Sequence, residues 1–342
     1  MKIITSINAK GGCGKSTIAM SVAAGLARAG FATLLIDMDP QAQITQWLGA
    51  GDGLSDSGTL VEAITGLRPL ADLIQPTRFT NLWFVASSEG LEELGRQITD
   101  REDYAMMLTR VLAPIASQYA FLVIDSPNQI SPVMANAIYP TDVFIVPFES
   151  TKAVRSYANF LQLLLRLRPD EEHKILHVLS NLTRQPGLRK RVIQVMELHG
   201  IPGARSEIRT CGWLAQVDEH GGSIFAWRPH SKGTADMNAL LIELLETLGE
   251  AVPPAIREGH APPTPAVIAS GEVPALGTYL LKGNGIVQAP TDSPPTSIPR
   301  ADSPPADPPP TPRALTPMAP QPAEGTGDDP VEALFTNEPF TI

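Results

Sequence analysis

Between Asn8 and Thr17 the chain reads Asn-Ala-Lys-Gly-Gly-Cys-Gly-Lys-Ser-Thr, with three glycines and two lysines in ten residues. Glycines let a backbone approach an oxyanion closely, and successive N–H groups across Gly11, Gly12, Cys13 and Gly14 form a concave anion site. If a helix opens at Lys15, its N-terminus adds partial positive charge to the same spot. Lys15 would then reach the β- and γ-phosphates of a nucleotide, Ser16 would ligate Mg²⁺, and Thr17 would complete the phosphate-facing set. The chemistry implied is binding of a nucleoside triphosphate with Mg²⁺.

A triphosphate site also needs a carboxylate on the metal side, because Mg²⁺ keeps much of its water shell and those waters need acceptors. Asp125, which ends the run Phe121-Leu122-Val123-Ile124, is one candidate. Asp39, at the end of Thr33-Leu34-Leu35-Ile36-Asp37-Met38-Asp39, is the other. Two lysines, one carboxylate near the γ-phosphate and Mg²⁺ suffice for phosphoryl transfer, which demands mostly positioning and charge stabilisation.

The elements that must hold these residues follow from hydrophobic periodicity. Ile3–Ile7 reads as a strand before the loop, and Ile18, Val22, Ala23, Leu26 and Ala29 recur at helical spacing after it, with Gly30 as a stop. Further apolar runs fall at 82–86, 120–124, 142–148 and 175–179, with helical patterns at 90–98, 103–117, 131–138, 153–167, 186–199 and 234–249. Alternation of this kind predicts an α/β fold with a doubly wound, mainly parallel sheet, whose ligands sit at the carboxyl ends of the strands.

Of the 33 prolines in 342 residues, 21 lie after residue 250. The expected organisation is one globular domain over 1–250 and a disordered, Pro-rich tail over 251–342, with two modest apolar islands at 276–287 and 331–340. The tail holds four basic and ten acidic residues and so carries −6 of the net −10. Two cysteines, Cys13 and Cys211, make no disulfide framework or Cys-x-x-Cys pair, which excludes a metal site of that type and fits a reducing compartment. Cys13 reads as a small filler of the loop and Cys211 as a buried thiol. With no long apolar run and no signal-peptide layout, a cytoplasmic protein without membrane attachment is expected.

The loop departs from Gly-x-x-x-x-Gly-Lys-[Ser/Thr] in having Ala9 where the first glycine would stand, followed by Lys10. In this it resembles the deviant phosphate loop of the ParA/MinD family of P-loop ATPases, most closely the ParA-type partition and positioning members. Asp37-Met38-Asp39-Pro40-Gln41 is similar to that family's switch, and His220-Gly221-Gly222-Ser223-Ile224 with Ser231-Lys232-Gly233 to its C-terminal block, so the likeness covers roughly residues 2–249. It implies a P-loop NTPase fold of the SIMIBI type, ATP hydrolysis, and a sandwich homodimer in which Lys10 reaches the partner's nucleotide. It further implies that Asp39 positions the attacking water, that Asn181 reads the adenine edge, and that a ParB-like or other cargo-bound protein stimulates turnover. Two positions depart from the family: Asn128 replaces the second proline after Asp125, and Ile208-Arg209 stands where Ile-Pro-Arg is usual.

From 184 to 232 eight basic residues face four acidic ones inside an acidic chain. A local basic surface is what nonspecific DNA binding needs, since phosphate contacts supply its affinity. Arg184, Arg189, Lys190, Arg191, Arg209 and Lys232 are the candidate contacts, and with the family resemblance they imply a nucleoid-associated protein. With the loop opening by residue 8, no N-terminal helix-turn-helix is expected. Two rival readings are a MinD-like membrane ATPase, which would need a basic amphipathic C-terminal helix where this chain ends in acidic Val331–Phe340, and an ATP-dependent small-molecule synthetase on the same fold.

Overall fold

Runs such as Phe121–Ile124 have no polar face to offer water and form strands covered on both sides. In the computed structural model, which describes residues 1–49, 58–181, 184–203 and 205–257, they assemble one eight-stranded sheet. The strands are β1 Lys2–Ser6, β2 Thr33–Asp37, β3 Gln75–Pro76, β4 Leu82–Val85, β5 Phe121–Asp125, β6 Val143–Phe148, β7 Lys174–Ser180 and β8 Glu207–Ile208. Their order is β3-β4-β2-β5-β1-β6-β7-β8, parallel throughout except for the antiparallel β3–β4 edge.

The helices are α1 Lys15–Arg28, α2 Gln43–Gly49, α3 Leu60–Ile64, α4 Gly90–Ile98, α5 Met107–Leu112, α6 Pro132–Ile138, α7 Thr151–Leu167, α8 Pro186–Leu198, α9 Ile224–Trp227, α10 Lys232–Leu248 and α11 Pro254–Arg257. On one face of the sheet α1 and α10 pack over Ile4, Leu35, Phe84, Val123, Ile145 and Val178. On the other, α3–α6 cover Leu34, Ile36, Leu122 and Ile124, and α7 and α8 cover Phe144, Val146 and Phe148. The doubly wound α/β architecture expected from the sequence is thus the one observed, with β1 at the point where strand order reverses.

The differences have local causes. The helical pattern over 103–117 is broken by Pro114, leaving α5 between two 3-10 turns. Strands β3 and β8 are two residues each, too short to show a period. Pro253-Pro254, read as the start of the tail, instead opens α11, because proline suits a helix's first position, and Ile256 of this turn is buried against the core. The residues expected to form the Pro-rich tail from 258 to 342 lie outside the described residues.

α1 carries the phosphate loop at its N-terminus, so its seating matters. Gly25 lies in its middle, and a Cβ there would stand 2.3 Å from Leu241 Cδ1 of α10 and 3.0 Å from the Phe225 ring. Gly25→Val is expected to lower unfolding free energy by about 1–3 kcal/mol through overpacking of this contact. A calorimetric melt checks it; an unchanged midpoint would mean that α10 yields freely.

Candidate nucleotide-binding site

Parallel pairing sets Ser6 beside Asp125 and Asp125 beside Asp37 at the carboxyl ends of three adjacent strands. The loop from Ile7 to Gly14 rises directly above them. Gly12 and Gly14 take φ of 76° and 94°, left-handed backbone that glycine adopts at no steric cost, and Gly14 turns the chain into α1. Beneath the loop, buried Asn8 donates to the Pro147 and Ala153 carbonyls (3.0 and 3.2 Å) and accepts from Ser156 (2.6 Å). The Ser6 hydroxyl donates to the Lys15 carbonyl (3.0 Å). These bonds tie the loop to β1, β6 and α7.

The two lysines part company. Lys15 is buried and its Nζ donates to the Lys10 carbonyl (3.2 Å), inside the loop. Lys10 is half-buried, pairs with the Glu149 carboxylate just past β6 and donates to the Gly11 carbonyl (3.1 Å). Cys13 is buried, donates to the Lys10 carbonyl (3.2 Å), and burial pushes its thiol up in pKa, the opposite of an activated thiolate.

Asp125 is fully buried and neither of its oxygens has a hydrogen-bond partner of normal geometry. Burial, and then the charge of Asp37, raise its pKa well above the usual carboxylate range, while the Ser16 hydroxyl and Lys15 pull it down. Asp37 is pushed up to about 6, again chiefly by burial, though it accepts from the Thr45 N–H and hydroxyl (both 2.9 Å) and from the Asp39 N–H (3.1 Å). A fully buried carboxylate beside Ser16 fits a hydrated divalent cation, which would supply it with positive charge and water donors. Among the described residues no group of three or more His, Cys, Asp or Glu side chains could hold a metal unaided.

Asp39 lies on the loop beyond β2. Its Oδ1 accepts from the Gln41 N–H (3.0 Å) and its carbonyl accepts from Ser87 (2.7 Å). Across the site β7 ends at Ser180, whose Oγ would be 3.5 Å from a Cβ on Gly14. Asn181 follows in left-handed backbone (φ 57°), donates its N–H to the Ile208 carbonyl (2.8 Å) and is exposed. Ser16, Lys15 and Asp125 therefore meet at the carboxyl ends of the central strands, with Asp39 on the loop after β2 and Asn181 on the loop after β7 at the same end of the sheet.

A family model for the AAA domain matches residues 1–176, more than half of the chain. The chain belongs to the ParA/MinD family of P-loop ATPases. Within it, the chain is similar to the cell division protein PomZ of Myxococcus xanthus, 28% identical over 250 residues, which cover 71% of this chain and 77% of PomZ. It is also similar to the chromosome partitioning protein ParA of the same organism, 33% identical over 151 residues, 43% of this chain and 52% of that one. Among solved structures, an ATP complex of a Cyanothece McdA variant superposes with a TM-score of 0.64 at 22% identity, covering 74% of this chain and 98% of McdA.

The first departure from the family's pattern has a visible place. The Asn128 amide lies 3.5 Å from where a Cβ on Gly11 would be, so it flanks the phosphate loop. Sequence reasoning assigns no role to four residues of the site: Asn8, Asp37, Ser87 and Glu149. Glu149 carries a readable signal, a carboxylate after an apolar strand, the same pattern that singles out Asp125.

The basic residues divide into two sets. Arg189 is bonded bidentately to Glu207 (2.9 and 2.9 Å), and Arg209 donates to Asp236 through its Nε (2.9 Å) and Nη2 (2.6 Å). Their positive charge is largely matched in place. Arg184, Lys190, Arg191 and Lys232 are exposed and, among the described residues, make no ion pair. Lys190 lies along α8, and Lys232 opens α10. No helix among the described residues is long and apolar enough to cross a membrane.

Proposed function

We propose that the chain is a ParA-type positioning ATPase that binds ATP with Mg²⁺, joins a second copy face to face, and holds nonspecific nucleoid DNA while ATP is intact. The observation that carries this reading is the division of labour between the lysines, with Lys15 buried in the loop and Lys10 held by Glu149 from β6. A lysine engaged outside the loop interior is available to a partner's phosphates. Ser16 and Asp125 hold the metal side, Asp39 orients the attacking water, and Asn181 meets the base. A ParB-like or other cargo-bound protein would then stimulate hydrolysis, so that DNA release is timed in the cytoplasm near the cargo.

DNA binding follows from the exposed, unmatched cations, and a dimer doubles them. With ATP, retention of a nonspecific duplex is expected at low salt and to fall steeply as salt rises. Charge reversal at Lys190 or Arg191 is expected to weaken binding about tenfold or more, and removal of one phosphate contact to reduce the salt slope by about 1. Fluorescence anisotropy with and without ATP checks this. Absence of any ATP-dependent duplex binding at low salt would remove DNA from the mechanism.

A further inference from the structure

A cleft of about 610 Å³ opens between the end of β8 and the start of α10, outside the phosphate loop. Its volume is that of a small-ligand site. Arg184 and Lys232 stand on its rim, Gln216 and Ser231 offer polar contacts, and no carboxylate is among its lining residues. One wall is Trp213, 42% exposed although it is among the largest apolar side chains.

Trp213 is held in place from behind. The Arg228 guanidinium sits 4.2 Å above its ring, Trp227 meets it edge-on at 5.4 Å, and His220 stacks on Trp227 at 3.6 Å. A ring so braced has already lost the rotamer freedom that stacking would otherwise cost. An exposed, fixed aromatic face between two unmatched cations asks for a planar group with anions beside it.

We propose that this cleft takes an unstacked base and its flanking phosphates from a single-stranded nucleic acid, the base on Trp213 and the phosphates on Arg184 and Lys232. A duplex cannot supply that base, since its bases are paired and stacked on one another; aromatic platforms along a basic groove select single strands. The inference extends the DNA-binding reading above to a second substrate class, and its test separates the two.

The full-length chain with ATP is titrated against a labelled (dT)20 oligonucleotide and, in parallel, a 20-bp duplex. Trp213→Leu is expected to weaken (dT)20 binding about tenfold and to alter duplex binding less than twofold; Trp213→Phe, which keeps an aromatic face and guards against a folding artefact, should restore most of the loss. Three results would overturn the proposal: no binding of (dT)20 by the wild-type chain at low salt, equal losses for strand and duplex in Trp213→Leu, or competition between ATP and the oligonucleotide for one site. Strand binding without duplex binding would sustain this inference and refute the duplex reading.

Discussion

Lys10→Ala is expected to abolish ATP-dependent dimerisation and to lower stimulated turnover by about 10³-fold, while ATP still binds. The magnitude is that of a cation delivered in trans to a transferring phosphoryl group, worth roughly 10³–10⁵ in rate. The geometry predicts that the loss falls on the shared step. Lys15, not Lys10, occupies the interior of the loop, so the charge on the chain's own phosphates survives the substitution. Lys10 is anchored to Glu149 and to the Gly11 carbonyl, and in the proposed dimer it serves the second copy's nucleotide. Light scattering with and without ATP, together with phosphate release, is the measurement. A variant that dimerises and turns over like the parent protein would strip Lys10 of its role between subunits.

Asp39→Ala should have the opposite signature, an ATP-bound dimer that persists because hydrolysis falls by about 10²–10⁴, the range contributed by a group positioned to handle a proton or water. The loop that carries Asp39 is fixed at three points: its N–H to Asp37, its carbonyl to Ser87, and its side chain to the Gln41 N–H. Two of these use backbone atoms, which alanine retains. Rate loss in this variant therefore reports on the carboxylate and not on a collapsed loop. Single-turnover phosphate release paired with sizing by light scattering distinguishes the outcomes, and parent-like turnover would exclude Asp39 from the chemistry. Asp37 is the contrasting position, because its buried carboxylate gathers Thr45 and the Asp39 N–H, and its loss would loosen the whole segment.

Much of this site is legible in the sequence. Residues 8–17 form their anion cradle from consecutive N–H groups, so spacing along the chain is nearly spacing in space. Asp125 and Asp39 are legible because apolar runs followed by carboxylates mark strand ends, and parallel strands bring such ends together. Elements whose signal is a period lie within a residue or two of their expected places, apart from the pattern over 103–117, of which only α5 is α-helix, whereas α3, α9 and the two-residue edge strands have too few residues to show one. The first turn of α11 escapes a reading in which proline is only a helix breaker, since at a first position it is a helix starter.

By itself, then, the sequence determined the phosphate loop, the order of strands and helices that carry it, and the family to which the chain belongs. Only the tertiary structure decided how the charges are spent. Lys10 meets Glu149 from 139 positions away, Arg189 meets Glu207 across 18, and Arg209 meets Asp236 across 27. A count of basic residues treats Arg189, Arg209, Lys190 and Lys232 alike, yet the first two are matched by carboxylates and the last two are open to a ligand. The cause is physical: a local motif is built by neighbours along the chain, whereas an ion pair or an aromatic wall such as Trp213 exists only once strand order and helix packing have chosen which distant side chains share a surface.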